Sequence, residues 1–155
     1  MNFSATFLWG FAATIVLTTL LSASRALGFT RMDLSFMLGT MFTADRNKAK
    51  WSGFLLHLFN GWVFAFIYSA AFANTGLSTW WFGALIGLVH VLFVLIVGMH
   101  ILPTLHPRMA TEQHGPDPTR LLEPPGFLAL NYGKQTPIAS ILAHVVYGGI
   151  LGFFL

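Results

Sequence analysis

Six histidines are the residues of this chain whose type and spacing bear most directly on chemistry, and His57, His90 and His144 lie inside long apolar runs. An ionisable side chain in a bilayer is costly unless it is partnered, so each of these positions is a candidate site. His57 and His144 also share a pattern. The segments Leu55 to Gly61 and Leu142 to Gly148 both read Leu-x-His-x-x-x-Gly, which puts the two imidazoles at similar depth, roughly 9 and 12 Å along helices that enter from the same side. Such a pair could ligate haem b, with Gly61 and Gly148 relieving the backbone beside a flat macrocycle, and together with His90 it could hold a single metal ion. A second candidate set, Met99, His100, His106 and Met109, offers imidazole and thioether ligands suited to copper. The plainer reading is a set of neutral histidines hydrogen-bonded across helix interfaces, each bond worth about 1 kcal/mol, with Asn60 and Tyr68 as available partners.

Several chemistries are excluded. With no cysteine there is no disulfide, thiolate nucleophile, iron–sulfur cluster or thiolate zinc site. No Asp or Glu falls in the apolar runs, which removes a carboxylate-bridged di-iron site and an acidic pair for proton-coupled transport. Phosphate-cradling, GxSxG and HExxH motifs are absent. The acidic residues Asp33, Asp45, Glu112, Asp117 and Glu123 read as helix caps and loop ion pairs.

The elements that must position the histidines are membrane spans. Of 155 residues 55% are hydrophobic and 8% charged, far from the soluble balance of about a quarter charged. Apolar runs at about 3–22, 51–74, 79–102 and 136–155 each approach the roughly 20 residues that cross a bilayer. The expected fold is a single all-α domain, 1–155: a bundle of four transmembrane helices, compatible with a 2+2 parallel duplication. Met1-Asn2 lacks the basic start of a signal peptide, so the first run is expected to stay in place as a span.

All eight basic residues lie in the loops 23–50 and 103–135. The positive-inside bias therefore puts both loops in the cytoplasm and both termini outside. Arg46, Lys48, Lys50 and Arg108 would meet lipid headgroups, which accounts for the pI of about 9.7 without a nucleic-acid partner. Asp33 is placed to cap a short interfacial helix, since Leu34, Met37, Leu38, Met41 and Phe42 recur at helical spacing. All seven prolines fall between 103 and 137, so the second loop cannot be one helix. Its apolar residues Leu122, Phe127, Leu128 and Tyr132 suit a segment lying back on the bundle. Small-residue spacings at Gly83, Gly87 and Gly98 and at Gly148 and Gly152 are packing signals, closing the bundle internally or pairing it with another subunit.

Three runs, TRMDLSFMLGTMFT (30–43), LHPRMA (105–110) and LEPPGFLALNYGKQTP (122–137), resemble a family of bacterial four-span membrane proteins with no assigned activity. The resemblance implies an inner-membrane location and the four-helix plan, and it carries no functional residue. Function reads first as a non-catalytic accessory or assembly subunit of a larger membrane complex. The alternatives are a haem- or metal-binding electron-transfer or sensor protein using the intramembrane histidines, and an oligomeric small-solute carrier or channel. For an enzyme acting on lipids or quinones, the only polar actors would be His106, His114 and Arg108.

Overall fold

The computed structural model describes residues 2–111 and 122–155. Four helices, α1 (Phe3–Ala26), α3 (Arg46–Thr75), α4 (Trp80–Leu105) and α5 (Thr136–Phe154), are long and apolar enough to cross a membrane, with a short helix α2 (Leu34–Gly39) between the first two. The chain is an all-α membrane bundle. Three of the four helices outrun their apolar stretches because capping, not hydropathy, sets helix ends. The Asp45 carboxylate accepts from the Lys48 amide at 2.8 Å and starts α3 five residues before Trp51. At the other end of α3, Gly76 at φ 70° donates to the Phe72 carbonyl and turns the chain into α4.

The outer surface is what a lipid-facing bundle requires: Leu55, Ile67, Val89 and Ile138 are exposed, while Ala13, Ala65 and Ala143 are buried. Lipid is as apolar as leucine, so tight approach rather than hydrophobic sorting holds such helices together. The closest approach joins α4 to α5, backbone on backbone. A Cβ on Gly83 would strike the Gly148 carbonyl, one on Gly87 the His144 carbonyl, and one on Gly152 the Thr79 carbonyl. These glycines therefore close the bundle internally. In the other half Gly61 takes the corresponding part, since its missing Cβ leaves room for Thr14 of α1. The glycine four residues after each of His57 and His144 thus meets the preceding span. Gly98 is a correction to the packing expectation: a Cβ there would touch only Val94 Cγ1, at 3.9 Å. It ends a π-helical turn, Val94–Gly98, and faces open space.

Consecutive in sequence, α3 and α4 scarcely approach along their backbones. Rings bridge them instead, with Phe72 to Phe82 at 6.1 Å and Phe64 stacked on His90 at 3.7 Å between centroids.

Helix α2 is capped as expected by Asp33, which accepts from the Phe36 amide at 3.0 Å. It lies flat on the start of α3, because Gly39 leaves room for the Ala49 carbonyl and Gly53 for that of Ser35. The expected helical face stops short of Met41 and Phe42. Thr40 Oγ1 donates into the Phe36 and Met37 carbonyls at the helix end, and Phe42 is exposed.

The three sequence runs singled out above interlock at this end of the bundle. Thr30 and Thr136 share a buried 2.7 Å hydroxyl bond. Arg31 pairs with Glu123 at 3.1 Å, and its amide donates to the Tyr132 carbonyl at 2.7 Å. Met109, Ala129 and Tyr132 are buried, so the second loop does lie back on the helices where it is described.

Backbone contact at Gly148 and open space at Gly98 predict opposite responses to the same added side chain. Gly148→Leu should cost at least the upper end of the ~1–3 kcal/mol typical of overpacking, seen as a marked fall in Tm in mild detergent. Gly98→Leu should leave Tm within a few degrees. Equal Tm values for the two variants would contradict the α4–α5 contact.

Candidate functional site

The bundle holds a partly open cavity of about 220 Å³. Each of α3, α4 and α5 contributes one histidine to its wall, His57, His90 and His144 respectively. The rest is mostly apolar: Leu17 and Leu21 from α1, Met37 and Leu38 from α2, and Leu95 and Met99 from α4. Val94 and Gly98, which share the π-helical turn with Leu95, also line the cavity.

Hydrogen bonds define what each imidazole offers. His144 Nδ1 lies 2.8 Å from the Ser140 carbonyl, which can only accept, so Nδ1 carries the proton and Nε2 a lone pair. His57 Nδ1 lies 3.0 Å from Thr18 Oγ1. The Thr18 hydroxyl already donates to the Thr14 carbonyl at 2.8 Å, so His57 is again the donor through Nδ1. His90 is the reverse. Its Nδ1 is 3.2 Å from the Tyr68 hydroxyl, whose proton has no other partner among the described residues, and so Nε2 carries the N–H. In all three rings the protein bonds Nδ1 and no protein group bonds Nε2, and all three residues line the cavity.

Two further polar groups line the same space. Ser140 is 3% exposed, and its Oγ is the one buried side-chain polar atom with no partner among the described residues. The Asn60 carboxamide also lines the wall without a protein partner there. A buried polar group normally finds a partner, and a cavity with several orphans is not a dry void. Tyr147, by contrast, is spent: its hydroxyl donates to the Gly61 carbonyl at 2.6 Å.

The candidates fare unequally. His57, His90 and His144 come together, with the His90 and His144 centroids 5.0 Å apart at 89°. No three His, Asp or Glu among the described residues are grouped so as to hold a metal ion. A haem does not fit the space either, since a cavity of about 150 Å³ takes a single benzene ring and this one, at about 220 Å³, is only somewhat larger. The second set is dispersed: Met99 lines the cavity, His100 is exposed, and His106 and Met109 are buried in the loop-end cap. Of the expected headgroup residues, Arg46, Lys48 and Lys50 are exposed at the start of α3. Arg108 is half-exposed, and its guanidinium also donates to the Thr40 carbonyl at 2.8 Å, tying down the end of α2. Glu112, His114, Asp117 and Arg120 lie outside the described residues.

Ser140 and Thr18 were not singled out in the sequence. The polar pairs Thr14/Thr18 and Ser140/His144, each one helical turn apart in an apolar span, are the signal that could have found them.

His106 is a structural residue. Its Nδ1 accepts from the Arg108 amide at 3.1 Å and its Nε2 donates to the Met37 carbonyl at 2.9 Å, so the neutral ring is fully used. Burial holds its pKa below the ordinary histidine range, against the opposing effect of the Met37 bond, and Arg108 lowers it further. Burial and the Glu123 carboxylate push the neighbouring Tyr132 hydroxyl up to about 12.

No protein-family model, curated protein or solved structure matches the chain. What the site can do rests on its own geometry.

A histidine held below its unfolded pKa binds its proton less readily in the native state, so its contribution is intact above about pH 6.5 and is lost as pH falls below it. Hydrogen exchange at the α2 amides, corrected for the intrinsic pH effect, should therefore accelerate between pH 7 and 5. His106→Gln should remove most of that dependence. Unchanged protection in the parent protein across this range would contradict the role given to His106.

Proposed function

We propose that this is a small multi-pass membrane protein whose three intramembrane histidines hold a small non-protein group, which places it with electron-transfer and sensor proteins rather than with purely structural subunits. One observation carries the reading. Three imidazoles from three helices line one cavity, each oriented by a hydrogen bond at Nδ1 and each with an Nε2 that no protein group bonds. His57 and His90 each spend one ring nitrogen on a neighbouring helix, as helix-joining histidines would, but the second nitrogen of each, and that of His144, has no protein partner among the described residues. A ligating or ligand-binding histidine is fixed through one nitrogen and presents the other. The size of the cavity limits the bound group to something smaller than haem.

The proposed setting is the bacterial inner membrane with both loops cytoplasmic, supported by the confinement of all eight basic residues to those loops. The accessory-subunit reading draws no support from the glycine faces, which are used inside the bundle.

Native mass spectrometry of protein extracted gently from its own membranes tests the reading. A bound mass at one per chain, lost in His144→Leu or His57→Leu variants that keep their Tm, is the expected result. Bare chains together with stoichiometric foreign subunits would overturn it in favour of an accessory role. Single-cysteine labelling in this cysteine-free chain checks orientation: Lys48→Cys should react only from the cytoplasmic side and Ser78→Cys only from outside.

A further inference from the structure

We infer that the group held in the cavity is the head of a lipid-soluble hydroquinone, a neutral dihydroxylated single ring with an apolar tail; this rests on the reading above that the histidines hold a non-protein ligand. The charge of the lining sets the first limit. No Asp, Glu, Lys or Arg lines the cavity, so nothing there would compensate a phosphate, a carboxylate or an ammonium, and the occupant is uncharged.

The hydrogen-bonding complement sets the second. His57 and His144 each present a lone pair at Nε2 because their Nδ1 protons are committed to Thr18 and Ser140. A lone pair on imidazole calls for an O–H donor, and two of them call for two. The remaining polar groups, His90 Nε2–H, the orphan Ser140 hydroxyl and the Asn60 amide, donate and would satisfy the oxygens of those same hydroxyls. A hydroquinone supplies two donors and two acceptors on one small frame.

Size and shape set the third limit. At about 220 Å³ the cavity exceeds the roughly 150 Å³ that encloses benzene by about the volume of a few substituents. The flat faces of Phe64 and His90, stacked at 3.7 Å, are suited to border a ring. The tail has a route as well. Met99 and Leu102 line the cavity toward the loop end of α4 and the cavity is not closed off, so an apolar chain would run along apolar walls at that end. The inference concerns binding only: the hydroxyls donate to imidazole and no electron is transferred.

The full-length protein in lipid nanodiscs can be titrated anaerobically with a decyl-substituted benzohydroquinone, with monodecanoylglycerol as a neutral dihydroxy control that lacks the ring. We expect one hydroquinone per chain, bound at least about tenfold tighter than the glyceride, the equivalent of one good hydrogen bond. Gly98→Leu, which fills the cavity and meets no backbone, should weaken hydroquinone binding by about tenfold or more, as should His57→Leu. Equal binding of the two probes, or hydroquinone binding indifferent to Gly98→Leu, overturns the inference. If hydroquinone does not bind while native protein carries a metal ion or another organic mass that Gly98→Leu removes, the inference fails and the proposed function stands. A cavity that holds only water, with no bound mass and no probe binding, overturns both.

Discussion

The backbone contact between α4 and α5 is the constraint on which the rest of the structure depends. Four glycines let these helices meet at carbonyl oxygen rather than at side-chain distance, and in a bilayer that approach is itself the source of cohesion. Once it is made, His90 and His144 are necessarily neighbours, because Gly87 rests on the carbonyl of His144 and His90 is one turn further on. A helix pressed close on one face stands away from its neighbour on the opposite face. On α4 the residues that meet α3 do so through rings, and His90 is shared between that contact and the cavity wall.

Polar groups in this bundle fall into two kinds. Those that hold the structure are spent on the protein: Thr6 on Ser69 at 3.0 Å, Tyr147 on Gly61, Thr30 on Thr136, and His106 on Met37. Those around the cavity are half spent. The imidazoles of His57, His90 and His144 are oriented through Nδ1 and left open at Nε2, and Ser140 Oγ has no partner among the described residues. Where water is scarce, the cost of an unmatched polar atom makes this division informative about a ligand.

The loop-end cap contributes to the wall of that space. Met37 and Leu38 of α2 line the cavity, and α2 is held down by Arg108 on the Thr40 carbonyl and by His106 on that of Met37. The second loop thus reaches the site through the first, although neither supplies a group that would touch the bound molecule through a charge.

Hydropathy, charge placement and helical periodicity determined the four spans, the Asp33-capped helix, the glycine contacts at Gly83, Gly87, Gly148 and Gly152, and the three intramembrane histidines. Each of those follows from local physics: an apolar run must cross the bilayer, and a glycine permits close approach. Tertiary structure alone decided which faces meet. It gave His57 to Thr18 and His90 to Tyr68, turned Gly98 from a packing residue into open volume, and added a bond from Arg108 to the Thr40 carbonyl at the end of α2. It also put Met99 on the cavity wall, His100 on the exposed side of its helix and His106 in the loop-end cap. Rotation of a helix about its axis and the order of helices in a bundle depend on all the contacts at once, and a single strand of sequence shows a residue's neighbours along one helix but not across the gap to the next.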